Sequence, residues 1–570
     1  MPERPTLSTE LNIKIDGSKI QDRVRSLVLE VTIDQHVLMP DMFTLRLEDA
    51  DLQILDNGPF DLTKEIEIAA GDASNECTVL IKGEITALEP YYGEGMTSQL
   101  VVRGYDKSHR LFRETKSRAF LNKKDSQLAE EIAGEIGLSA QVESTSTVYD
   151  HIFQSNQSDL AFLMERAWRI GYECFVDDGK LYFRKPPDNP PSVKLSWGAE
   201  LISFRPRLTL AEQVDEVMVK GWDADQQKAI VGKSQNGKLY PKIDESKNGA
   251  EWAGRFGQGK LIIVDQPVVS QAEADALAAA RMNEVSGAFV QADGIAFRRP
   301  DIKAGKMVEL ELLGNRLSGK YLVTNAAHVY TAEGFRTYFS VHGSRTGSLA
   351  ERVRDQKPLH RWQGVVTAVV TNSDDPNNWG RVKVKFPWLT DDAESDWARV
   401  VGAGAGPKAG FCNTPDVDDE VLVAFEHGDF SRPFVLGGMW NGQHDLPDMV
   451  NGAAQNERPL VRTWHSRTGH AITMYDNSDN KIEIKTAGGH TVNLDDAGNT
   501  IEIKSSSGLT ITMDGGGSKI VIDSGGDVEI KSSANMKLES GANMDIKAGG
   551  VLNLEASGPA NLKGAVVNLN

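Results

Sequence analysis

The sequence predicts a mainly β protein, with an α+β N-terminal region, a small OB-fold-sized barrel and a repetitive β tail. Three observations carry this reading. Helix-period and strand-period segments alternate over the first 350 residues, five short strand-like runs fill 361–443, and apolar pairs spaced by two recur through the last hundred residues. A length of 570 residues corresponds to three or four domains at roughly 150 residues each.

In 1–350 the chain opens with strand-like runs at 11–15, 27–33, 43–47 and 66–69. A first helix is expected with Asp125 or Ser126 as N-cap, a Leu128/Ile132/Ile136 stripe and Gly137 as its stop. A second starts at about Ser158, carries Leu160, Leu163, Met164, Ala167 and Ile170 on one face, and ends at Gly171. A third is announced by a capping box, Ser270 with Glu273. Strands at 181–184, 216–221, 307–312 and 320–328 complete the region. The expectation is two barrel-like halves with a helical insertion.

Residues 360–445 read GVVTAVV, NSDDPNNWG, RVKVKFPWL, WARVV, then a Gly-rich stretch and VLVAFEHGD and PFVLGGMWNG. Five short strands with regular turn signals suggest an OB-like barrel. Residues 446–463 are expected to be a linker.

The tail, 464–570, changes composition. No Phe, Tyr, Trp or Cys follows Tyr475, and no Arg follows Arg467. Such a segment must build its core by repetition. Apolar pairs occur at Ile472/Met474, Ile482/Ile484, Val492/Leu494, Ile501/Ile503, Ile511/Met513 and Ile520/Ile522, at nine- to ten-residue spacing. They continue at Val528/Ile530, Met536/Leu538, Met544/Ile546, Leu552/Leu554 and Ala560/Leu562, at a strict eight. An octad is one side of a slender prism. Either three chains each supply a strand per level, or one chain uses three octads per turn. The charge column Lys531, Glu539, Lys547, Glu555, Lys563 alternates in sign and suits both. About a dozen levels at about 4.8 Å predict a rod of roughly 55–60 Å. The expected core is Val528, Ile530, Met536, Leu538, Met544, Ile546, Leu552 and Leu554. The terminal level is Ala565, Val566, Val567, Asn568, Leu569 and Asn570.

Composition excludes several classes. A net charge of −19 disfavours nucleic acid and anionic membranes as partners. Cys77, Cys174 and Cys412 are too few and too scattered for a disulfide framework. The opening residues lack a signal peptide's apolar stretch, and no run approaches the 18 or so apolar residues of a membrane span, so a chain made in a cytoplasm is expected. Gly254, Gly259 and Lys260 have phosphate-loop spacing, but Leu261 follows the lysine, so a turn is expected. Asp476, Ser478 and Asn480 start like a calcium loop without its Gly and Glu. His465, His470 and His490 are read as turn or lumen residues rather than metal ligands. The adjacent pairs Asp391/Asp392, Asp418/Asp419 and Asp495/Asp496 do not supply a glycosidase's separated carboxylates. The barrel's loops are acidic and no basic-aromatic stripe is legible, so structural use is preferred over oligonucleotide binding.

The segment DDPNNWGRVKVKFPWL…WARVV…GFCNTPDVDDEVLVAFEHGDFSRPFVLGGMWNG, residues 374–442, closely resembles the baseplate-assembly-protein-V barrel of VgrG-type spikes in contractile injection systems. Residues 153–186, FQSNQSDLAFLMERAWRIGYECFVDDGKLYFRKP, resemble the hub of the same proteins, and the octads resemble their triple-stranded β-helix. The resemblance covers nearly the whole chain. It implies a homotrimer in which 1–350 is a hub docking onto an inner-tube protein among baseplate proteins. It makes 360–445 an OB-fold collar and 464–570 a triple-stranded β-helix needle whose terminal level meets a PAAR-type tip protein. No cofactor, metal ligand set or nucleic-acid partner is expected from the residues, and the resemblance implies a target membrane touched only on puncture. Assembly is expected in a bacterial cytoplasm, as part of a phage-tail-like particle of the kind that can be released outside the cell. The short interval 445–463 leaves no room for an inserted lysozyme domain, and the repeat pattern runs to Asn570, so a bare, non-enzymatic spike is expected. The rival readings are an envelope hydrolase and a receptor-binding fibre.

Overall fold

The computed structural model describes residues 9–37, 39–72, 77–187, 192–223, 226–235, 237–238, 242–245, 247–268, 270–341, 361–450, 454–455 and 458–568. Two compact units emerge, Met1–Met439 and Trp440–Asn570. The fold is mostly β, as the sequence predicts.

In the first unit, alternation sets the sheet. The strand Met42–Glu48 buries Phe43, Leu45 and Leu47 completely and turns the residues between them outward. Neighbours with the same pattern extend it to an eleven-stranded sheet. Seven of its strands come from 9–106 and four from 201–341. The two sets meet where Asn325–Thr331 pairs antiparallel with Val28–His36. Each set carries its own core, one around Phe43, Leu45 and Ile68, the other around Phe289, Tyr321 and Phe339. The two expected halves are therefore stitched into one sheet. Both use the same device: Phe43 lies opposite Gly104, and Phe339 opposite Gly294. A Cβ on Gly104 would stand 2.0 Å from the Glu84 carbonyl oxygen and 2.6 Å from the Phe43 ring. The missing side chain is the space the ring occupies.

The insertion between the halves packs helices Asp125–Glu135 and Asp159–Ile170 onto short strands around Leu128, Ile132, Leu163 and Phe183. Ser158 caps the second helix by accepting from the Ala161 N–H, and Gly171 ends it at φ 71°. The first helix differs from the expectation. Lys124 precedes it, and Asp125 and Ser126 are its first residues. The Asp125 carboxylate is taken by Arg166 at 2.6 Å, and Thr145 Oγ1 accepts from the Ser126 N–H. Ser270 caps the helix Gln271–Gly287, while Glu273 accepts from Arg169. This helix covers the sheet built on Glu216–Asp223.

The barrel is a five-stranded sheet around Val370, Val384, Phe386 and Val423. It shares a unit with the N-terminal region because the insertion strand Val148–Gln157 enters its core. Phe153 sits 4.9 Å from Phe430, its N–H donates to Ser431 Oγ, and His151 Nε2 bonds the Glu394 carbonyl at 3.0 Å.

Two buried carboxyls share one end of adjacent strands. Asp41 accepts from the His36 N–H, and Asp106 caps the short helix Lys107–Leu111 through the Ser108 N–H. Burial raises both above the ordinary carboxylate range, Asp106 to about 6.

Two predictions follow from this packing. Gly104→Ala should destabilise the protein by about 1–3 kcal/mol or more, read by thermal or denaturant unfolding, because neither the carbonyl nor the ring has room to retreat. The raised Asp106 means that the folded state holds its proton more tightly than the unfolded chain. Stability contributed by this group is therefore full at low pH and lost as pH rises from about 4 to about 6. Asp106→Asn keeps an acceptor for Ser108, and should flatten that decline and raise the melting temperature at pH 8.

Candidate functional site: an uncovered apolar face on the C-terminal unit

The second unit carries a seven-stranded antiparallel meander, from Val461–His465 to Lys519–Asp523. Each strand from Ala471 onward has five residues, and the predicted apolar pair occupies its second and fourth positions. Pairing places these side chains in two columns. One runs Ile472, Ile484, Val492, Ile503, Ile511, Ile522; the other runs Met474, Ile482, Leu494, Ile501, Met513, Ile520. Both columns lie on one face. Ten of the twelve side chains are exposed, at 40–68%. The opposite face is mostly polar: the column Thr473, Glu483, Asn493, Glu502, Thr512 ends at Val521 and is flanked by Lys481, Asp495, Lys504 and Asp514, with Ala471 and Tyr475 at its start. The alternation of Asn493 with Glu483 and Glu502 keeps the carboxylates apart. Burial raises the Tyr475 phenol, and Lys481 lies 4.9 Å from its ring.

The turns on the two edges use different chemistry. On one edge, Ser466, Thr486 and Ser505 each accept, through the side-chain oxygen, from the N–H four residues on. Gly469, Gly489 and Gly508 supply the left-handed residue. Successive turns are tied by histidines. His470 Nδ1 accepts from the Ala487 N–H, and His490 Nδ1 from the Ser506 N–H, both at 3.2 Å. On the other edge, Asp495 and Asp514 accept from the N–H three residues on, and Asn480, Asn499 and Ser518 take the left-handed conformation.

The meander stops where the spacing falls to eight. Nine- and ten-residue units provide a five-residue strand and a turn of four or five, whereas an octad leaves three. From 524 to 568 no strand forms within the single chain among the described residues. Val528, Ile530, Met536, Leu538, Met544, Ile546, Leu552 and Leu554 are each half exposed or more. Glu529 pairs with Lys531, and Lys537 with Glu539, within their own octads. Ala565, Val566, Val567 and Asn568 are exposed; Leu569 and Asn570 lie outside the described residues.

The other candidates resolve into structural roles. The Gly254–Phe256 segment is a single helical turn leading into the strand Lys260–Ile263, and Lys260 binds Glu216 at 2.8 Å. Its ammonium holds the Glu216 carboxyl below its ordinary range. Asp476 pairs with Arg462, and Asn477 Oδ1 accepts from the Asp479 N–H, as in a plain turn. Among the described residues no group of three or more His, Cys, Asp or Glu could hold a metal ion. One expectation is overturned. Trp379, Arg381 and Lys383 share a face, and Val382 pairs with Ala398, which brings Trp397 alongside. Arg381 lies 5.1 Å from the Trp379 ring centre and 5.7 Å from that of Trp397, with Lys383 at 5.6 Å. The barrel therefore does carry a basic-aromatic stripe. WGRVKVK signals half of it, but the second indole arrives only through strand pairing.

Known proteins agree with this organisation. Residues 6–332 match the family described as the Alg8 N-terminal domain, and 366–440 match the type VI secretion system/phage-baseplate injector OB domain. The Pseudomonas aeruginosa type VI secretion system spike protein VgrG1a is 31% identical over 144 residues, 22% of this chain and 22% of that protein. VgrG1b of the same organism is 36% identical over 98 residues, 16% of this chain and 13% of that protein. The matched stretches thus span less than a quarter of the relatives' length. The lidded Francisella PdpA–VgrG complex shares the fold, with a TM-score of 0.50 at 9% identity over 87% of this chain and 80% of that one. The first of the two family models covers more than half of the chain, which therefore belongs to the Alg8 N-terminal domain family and is similar to VgrG-type spike proteins.

Proposed function

We propose that three copies of this chain form the central spike of a contractile injection system, which caps the inner tube and is driven through the target envelope when a sheath contracts. The hub region docks onto the tube, the barrel forms a collar, and 464–570 is the needle. The force comes from the sheath, and the spike contributes stiffness and a narrow tip. The role is mechanical, with no catalytic step. The observation that carries this reading is the two-column apolar face. Covering twelve partly exposed large side chains is worth on the order of 10 kcal/mol per chain, and an apolar surface of this extent marks an interaction site. Copies of the same chain present the same face, and three such faces close on one another without a free apolar side. The octads continue the arrangement, each chain giving one strand per level, with Val528, Ile530, Met536, Leu538, Met544, Ile546, Leu552 and Leu554 inward. The level Ala565, Val566, Val567, Asn568, Leu569 and Asn570 receives a PAAR-type tip protein. No helix among the described residues is long and apolar enough to cross a membrane, so insertion by a helical anchor has no support.

Light scattering on the full-length chain should return three times its 62.3 kDa; a single-chain mass would overturn the reading. Ile546→Asp should abolish or strongly destabilise the trimer, because it places three unpaired charges at one level, each costing several kcal/mol when buried. Lys547→Ala, one residue away on the outward side, should remain trimeric. A trimer that tolerates Ile546→Asp as well as Lys547→Ala would contradict the inward assignment.

A further inference from the structure

Between the insertion strand Val148–Gln157 and the barrel lies a cavity of about 540 Å³, inside the usual range of small-ligand pockets, roughly 300–1,000 Å³. Its barrel wall is the stripe described above, with Trp379 and Arg381 on one segment and Trp397 and Arg399 on the next. Trp222, 53% exposed, adds a third indole from the N-terminal region. Exposed indoles are a poor use of apolar surface unless something covers them. The segment that carries Trp379 is also held rigidly. Asp375 accepts the backbone N–H of Asn377, Trp379 and Arg381 and binds the Arg381 guanidinium at 2.6 Å, which holds its carboxyl well below the usual range. The Trp379 platform is thus fixed before any ligand arrives.

The polar groups narrow the ligand class. Seven carboxylates and five guanidinium groups line the cavity, with no lysine. That balance opposes a polyanion such as single-stranded nucleic acid. Two of these groups are uncommitted: Asp150 and Arg399 have no partner among the described residues. The Asp396 carboxylate accepts from the adjacent Trp397 N–H and carries its charge beside the His151 ring. Carboxylates accept from hydroxyls and guanidinium groups donate to them, while indole faces pack against the C–H faces of pyranose rings. We propose that this cleft binds a short neutral oligosaccharide, stacked on Trp379 and Trp397 and hydrogen-bonded by Asp396 and Arg399. The proposal is independent of the trimeric spike.

The test is calorimetric titration of the full-length chain, with tryptophan fluorescence in parallel, against triacetylchitotriose, maltotriose and a ten-residue oligothymidylate. Saturable binding of at least one sugar, with a change in indole emission, is expected. Trp379→Ala and Asp396→Asn should each weaken it by about tenfold or more, at an unchanged melting temperature, and Trp379→Phe should retain most of it. Failure of both sugars to bind overturns the proposal, as does binding that ignores both variants. Binding of the oligothymidylate alone also overturns it, and would assign the stripe to nucleic acid.

Discussion

One constraint governs the C-terminal unit. A strand's side chains alternate between faces, so six apolar pairs in register make a face that is apolar from end to end. A single layer of sheet has nothing of its own to lay against that face. The polar side is finished, with Thr, Asn, Glu and Lys in cross-strand register, and the turns on both edges are closed by their own hydrogen bonds. Backbone geometry is satisfied within one chain while apolar burial is not. That imbalance is what the proposed assembly of three chains would relieve.

The first unit is complete in itself. Its two halves each bury a separate core, yet share one sheet through the pairing of Val28–His36 with Asn325–Thr331. The Phe43–Gly104 and Phe339–Gly294 pairs show both halves resolving the same packing problem by one rule, an aromatic ring laid over a residue with no side chain. The barrel joins this unit because Phe153 completes its aromatic core. Where the joint opens outward it leaves the indole-lined cleft, so the contact that fixes the barrel also creates a concave surface beside it.

Family membership and chemistry address different parts of the molecule. The family models account for 6–332 and 366–440. They say nothing about Asp150, Asp396 and Arg399 beside three indoles. Those residues are legible only as side chains converging on a cavity, and their mixed charge separates them from the basic surfaces that track phosphate backbones.

Much of the architecture was readable from the residues alone. The pairs from Ile472/Met474 to Ile520/Ile522 fall on strands, and Ser158 and Gly171 bound their helix as expected, because these signals are local: a period, a cap, a left-handed turn. The first insertion helix starts earlier than its local residues suggest, because the Asp125 and Ser126 groups have partners at Arg166 and Thr145, far along the chain. The basic-aromatic stripe is not legible in the sequence for the same reason, since Trp397 reaches Arg381 and Lys383 through pairing across a strand. The sequence by itself determined which face of the tail is apolar and where its rhythm changes. It takes the folded chain to show that the nine- and ten-residue units fold back as a meander, while the octads find no strand partner among the described residues. Whether backbone groups meet depends on how many residues remain for the turn and on what lies beside the strand in space, which periodicity does not contain.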